Sequence, residues 1–139
     1  MRVFLDTNVL VSAVATRGLC ADVLREVLLS HTLIVSPPLY AELENTLRKK
    51  LRIPPKLISE FISILKRDAH LSTPAAVPEV NIQDKDDVVI LSSALNGDAG
   101  LFVTGDRELL ELRRIGNMEI VSPRMFWERL KIQSQDKHR

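Results

Sequence analysis

Residues Met1–Ser12 read MRVFLDTNVLVS. Val3, Phe4 and Leu5 form a short apolar run that stops at Asp6, and Val9, Leu10, Ala13 and Val14 follow at near-helical spacing. That pattern is a buried strand feeding a helix, with a carboxylate at the strand's carboxyl end. In an open α/β sheet the crevice outside those ends is where ligands bind. An Asp between strand and helix is equally a good N-cap, because its oxygen accepts an orphan N–H of the first turn. Asp6 alone does not decide between the two readings. Three further acids at comparable boundaries do.

Working outward, Leu19–His31 is a second helix and Thr32–Val35 a second strand, stopped by Ser36-Pro37-Pro38. Ser36 can cap and Pro37 can open a helix that runs to about Lys50, with Glu42 on the flank of its leucine stripe. Ile53-Pro54-Pro55 breaks the pattern and Lys56 to about His70 forms another amphipathic helix, so the two make a helical hairpin. Leu71–Gln83 reads as a short edge strand or an extended loop. Asp84-Lys85-Asp86-Asp87 heads a helix that ends at Asn96-Gly97. Leu101–Thr104 is a strand closed by Gly105 and Asp106, Arg107–Arg114 a short helix, and Met118–Val121 the last strand before a helix opened by Ser122-Pro123. The expected architecture is a three-layer α/β/α sandwich around a parallel, roughly five-stranded sheet with the first strand central. If Leu101–Thr104 neighbours that strand, Asp6 and Asp106 end adjacent strands about 4.8 Å apart.

The 139 residues suit one domain, residues 1–130, with a polar, frayed tail at 131–139. Nineteen basic against eighteen acidic side chains leave a net charge of +1, which excludes a globally basic nucleic-acid binder but not a local patch. The single cysteine, Cys20, cannot form an internal disulfide and reads as a buried thiol. Three apolar residues before Asp6 are too few for a signal-peptide core and no later run has bilayer length, so a soluble cytoplasmic protein is expected.

Asp6, Glu42, Asp87 and Asp106 are the candidate catalytic and metal-ligating residues. Carboxylates gathered without cations raise one another's pKa and cost folding energy, and a hard divalent ion removes that cost. Oxygen donors, with no His or Cys at zinc-ligand spacing, favour Mg²⁺ or Mn²⁺. Such a cluster suits phosphodiester hydrolysis, in which water is activated and no side-chain nucleophile is needed. Thr7, Asn8 and Thr104 would support it, and Asp84 and Asp86 compete with Asp87 for the ligand position. Arg48, Lys49, Lys50, Arg52 and Lys56 form a basic run able to hold a phosphate backbone, although such runs are more often solvated faces.

Taken as an ordered set, FLDTNVLVSA, then Glu42 in PPLYAELENTL, then DKDDVVILSSAL, then FVTGDRELL resemble the PIN-domain nucleases, especially the VapC-like toxins of toxin–antitoxin pairs, from Met1 to about Leu130. The resemblance implies Asp6 with Asn8, Glu42, Asp87, and Asp106 with Thr104 as the family's acids and their supports. It also implies Mg²⁺- or Mn²⁺-dependent cleavage of single-stranded RNA, a homodimer and an inhibitory antitoxin. Two readings compete. An aspartyl-nucleophile phosphatase using Asp6 would want an acid where Asn8 stands. A non-catalytic RNA- or protein-binding module would keep the acids only as caps.

Overall fold

β1 (Arg2–Leu5) forms where the sequence has its first apolar run, and Val3, Phe4 and Leu5 are all fully buried. Successive strand side chains point to opposite faces, so both faces of β1 are covered. The computed structural model describes residues 1–75 and 79–137. In chain order the elements after β1 are α1 (Thr7–Ala15), α2 (Leu19–Ser30), β2 (Thr32–Val35), α3 (Pro37–Asn45), a π-helical segment (Thr46–Lys50), α4 (Pro55–Asp68) and β3 (His70–Leu71). Then come α5 (Lys85–Asn96), β4 (Leu101–Val103), α6 (Arg107–Leu112), β5 (Arg114–Ile115), β6 (Met118–Val121) and α7 (Pro123–Lys137).

The sheet order is β3-β2-β1-β4-β6-β5. β1 lies inside it, parallel to β2 on one side and to β4 on the other, with Leu5 opposite Val103. Phe4 and Phe102, cross-strand partners, stack with ring centroids 5.3 Å apart. The strand order therefore reverses beside β1, as the sequence predicts.

Four details depart from the expectation. The sheet gains a sixth, antiparallel edge strand, β5, where the sequence reads as helix to Arg114. Arg113 ends α6 with φ 61°, and Gly116, φ 57°, turns the chain into β6. Gly116-Asn117 is a two-residue hairpin loop of the Gly-first kind, and it holds β5 against β6. The third helix is not α-helical to Lys50: five residues widen into a π turn closed by Leu51 N–H to the Thr46 carbonyl, 3.3 Å. Leu47 is buried there but Leu51 is left exposed. The last helix continues through residues 131–137, expected as a frayed tail, and no Pro or Gly interrupts the sequence after Pro123. Residues 138 and 139 lie outside the described residues. Finally, Cys20 is half-buried rather than sealed in the core.

Gly97 fixes α5 to the sheet. A Cβ there would meet Ile34 Cγ2 at 2.6 Å and Ser72 Cβ at 2.9 Å, so only glycine allows this approach. Its carbonyl accepts from Arg2 Nε and Nη2 at 2.9 and 2.6 Å. Among the described residues no single helix is long and apolar enough to cross a membrane.

Candidate active site

Asp6 continues the β1–β4 ladder by one residue, its N–H donating to the Val103 carbonyl at 2.9 Å. That register sets Thr104 beside it. Thr104 Oγ1 donates to Asp6 Oδ2 at 2.8 Å, and the Thr7 N–H donates to Oδ1 at 2.8 Å. Asn8 Nδ2 reaches Asp6 Oδ2 at 3.3 Å and Thr104 Oγ1 at 3.4 Å, while its Oδ1 accepts the Gly105 N–H at 3.2 Å. Asn8 thereby ties the first turn of α1 to the loop after β4. The Asp6 side chain is enclosed, the residue being only 5% exposed. Burial raises its pKa, the Thr104, Thr7 and Asn8 bonds oppose that, and the Asp106 charge adds to it.

Glu42 comes from α3, whose start is set by Ser36 Oγ accepting the Leu39 N–H at 3.4 Å and by Pro at the first positions. Asp87 stands in the first turn of α5. Asp84 is the cap of that helix, accepting the Asp86 N–H at 2.9 Å, which leaves the Asp87 carboxyl uncommitted. Asp106 caps α6 through the Glu108 N–H at 2.9 Å, and its own N–H donates to Thr104 Oγ1 at 3.1 Å. Asp6 and Asp106 are thus both realised as helix caps.

The acids feel one another. Asp87 is pushed up to about 7 by burial first and then by the charges of Asp84, Asp6, Asp106 and Glu42. Glu42 is raised by burial and by Asp6, Asp86 and Asp84, with the Thr7 hydroxyl opposing. Thr7 Oγ1 is itself buried with no partner at hydrogen-bonding distance, so the Glu42 carboxyl acts on it from farther off. Among the described residues the ion pairs join Arg25 to Asp22, Arg48 to Glu44, and Arg114 and Arg129 to Glu119. None of the four acids is paired with a cation there.

Among the described residues no three His, Cys, Asp or Glu side chains close to metal-ligand geometry. The donor set nonetheless suits a hard divalent ion: carboxylate oxygens, a buried unpartnered hydroxyl and no compensating base. The carboxylates act on one another's pKa without converging on one point among the described residues.

The supporting acids and bases are less gathered. Asp84 and Asp86 are exposed, and Asp86 lines an open groove of about 580 Å³ with Glu42, Arg48, Pro38, Val89 and Ile90. Lys56 lines a separate depression on α4, and Lys49, Lys50 and Arg52 are exposed. His31 caps the end of α2 and His70 is exposed in β3. Sequence reasoning missed a groove of about 370 Å³ past β4 that includes Ser12, Cys20, Gly105 and Pro123.

The PIN-domain family model matches residues 2–108. Among solved structures, the chain is similar to VapBC2 from Rickettsia felis bound to a DNA fragment from their promoter, at 18% identity and a TM-score of 0.63, over 88% of this chain and 98% of that one. It is similar also to VapBC-1 from nontypeable Haemophilus influenzae, at 19% identity and a TM-score of 0.61, with the same coverage. At these identities the likeness is one of fold. None of the curated proteins matches the chain.

Proposed function

The chain belongs to the PIN-domain family, and from that premise we propose that it is a divalent-metal-dependent endoribonuclease that cuts single-stranded RNA in the cytoplasm as the toxin of a toxin–antitoxin pair. The observation that carries the reading is the group Asp6, Glu42, Asp87 and Asp106, whose charges act on one another with no basic partner among the described residues. A protein that keeps such a group uncompensated gains from a cation.

The four acids would hold Mg²⁺ or Mn²⁺. When bound, such an ion supplies Lewis-acid chemistry, lowering the pKa of water and stabilising charge on a phosphate. Asp6 is the anchor, since three donors fix both of its oxygens. Asp87 is the adjustable member: burial and the neighbouring acids push it up to about 7, so a cation held there would favour its ionised form. Thr104 has its hydroxyl proton committed to Asp6 and serves to orient, not to attack. The same geometry weighs against an aspartyl nucleophile, because Asp6 is enclosed and Asn8 stands where the second acid would be needed.

Arg48 stands beside Glu42 and Asp86, and the exposed Lys49, Lys50, Arg52 and Lys56 that follow it in sequence give a phosphate backbone further basic contacts outside that groove. The VapBC designation of both similar structures supports an antitoxin partner. Exposed Leu57 and Ile64 on α4 give apolar surface for that association or for a homodimer. Incubating the purified protein with single-stranded RNA and Mn²⁺ tests the reading. Cleavage that is lost on adding EDTA and in Asp6→Asn supports it, and cleavage that survives in Asp6→Asn refutes it.

A further inference from the structure

Thr7 is the first residue of α1 and only 4% exposed. Its N–H donates to Asp6 Oδ1 at 2.8 Å, but its Oγ1, also buried, has no hydrogen-bond partner among the described residues. In this it stands apart from the other buried hydroxyls: Ser36, Ser72, Ser92, Ser93 and Thr104 each have a partner at 3.4 Å or less. A helical threonine can return its hydroxyl to the carbonyl four residues back, as Thr16 does to Ser12 at 2.8 Å. Four residues before Thr7 stands Val3, which belongs to β1, so no helical carbonyl waits there. A hydroxyl taken out of water and given no partner costs stability. Its retention beside the acids calls for a partner in another state of the site.

Glu42 can supply that partner. α1 packs against α3, which carries Glu42, and that residue is half-buried. Burial first and the Asp6 charge next raise the Glu42 pKa, and the Thr7 hydroxyl opposes them. A donor without an acceptor and a carboxylate without a cation therefore lie together where α1 and α3 pack. We propose that Thr7 is a positioning residue for Glu42: its N–H holds Asp6, and its hydroxyl donates to the Glu42 carboxylate when the two acids share a divalent cation. One residue then sets the spacing of two ligands carried by different helices, as a supporting hydrogen bond does for a metal-bound carboxylate. The inference rests on the metal site of the nuclease reading.

Titration calorimetry with Mn²⁺ tests it. Thr7→Val replaces the hydroxyl by a methyl and keeps the N–H to Asp6, and it should weaken Mn²⁺ binding roughly tenfold or more. Thr7→Ser keeps the donor and should bind within about threefold of the unmodified protein. In EDTA the Tm of Thr7→Val should be no lower than that of the unmodified protein, because the group it removes has no partner in the metal-free state. In a Glu42→Ala background, with Mn²⁺ binding read by water-proton relaxation, adding Thr7→Val should change the affinity by less than about twofold. Four results overturn the inference: Thr7→Val binding as tightly as the unmodified protein, Thr7→Ser failing as Thr7→Val does, a Tm loss in Thr7→Val as large in EDTA as in Mn²⁺, or the same loss of affinity with Glu42 already removed. If the unmodified protein binds no Mn²⁺ at millimolar concentration, the metal site itself fails and this inference with it. Equal binding by the unmodified protein and Thr7→Val removes only the role of Thr7.

Discussion

At Asp6 one carboxylate does two jobs, capping α1 through the Thr7 N–H and standing within reach of the other acids' fields. The Thr104 hydroxyl is the largest influence holding its pKa down against burial. Thr104→Val is therefore expected to lower Mn²⁺ affinity by roughly 10–100-fold, as removing a ligand's supporting bond does, measured by titration calorimetry. Asp87 gives a pH signature. The folded chain holds a proton on Asp87 up to about pH 7, whereas an unperturbed Asp releases it at 3.8, so this stability is present at low pH and lost as pH rises from about 4 to 7. Solvent screening of a half-exposed carboxyl limits the effect to roughly 1–2 kcal/mol. In EDTA the Tm at pH 5 should exceed that at pH 8 by on the order of 5 °C, and Asp87→Asn should flatten the difference.

At the scale of elements, the acids are only as well placed as the helices that carry them. α5 seats Asp87 because Gly97 lets its far end meet Ile34 and Ser72. Gly97→Ala should cost roughly 1–3 kcal/mol through that clash, read in urea unfolding, and should weaken metal binding as well. The alternation of apolar runs and helix signals made β1, β2, β4 and β6 legible, with β1 inside the sheet and Leu5 beside Val103. Caps at Ser36, at Asp106 and somewhere among Asp84, Asp86 and Asp87 were legible too, since short polar side chains before apolar helices carry a local signal, and the structure makes Asp84 the cap of α5. β5 was not, because two residues are too few for periodicity and the Gly116-Asn117 turn only makes sense once β6 is its partner. The π turn at Thr46–Lys50 escaped for a similar reason: its leucine spacing also fits an ordinary α-helix. The four candidate acids were expected to raise one another's pKa, but the leading part of burial in that shift was not legible, because it depends on how the elements pack. The half-buried Cys20 and its groove depend on three elements meeting and have no local signature.

At the scale of the molecule, a chain with nearly balanced total charge brings four carboxylates within one another's influence and places Arg48 beside one of them, Glu42. RNA affinity should be salt-dependent through the exposed basic run Arg48–Lys50. Neutralising Arg48, Lys49 and Lys50 together should lower the magnitude of the log–log salt slope by roughly 0.7 for each phosphate that the basic run no longer neutralises. The central claim is that the acids form a divalent-ion site, and thermal denaturation with and without Mn²⁺ tests it most directly. At a hundred times the dissociation constant, Mn²⁺ should stabilise the protein by about 2.7 kcal/mol, and Asp6→Asn should abolish the gain while raising the metal-free midpoint. An unchanged Tm at millimolar Mn²⁺, or an equal rise in Asp6→Asn, would contradict it.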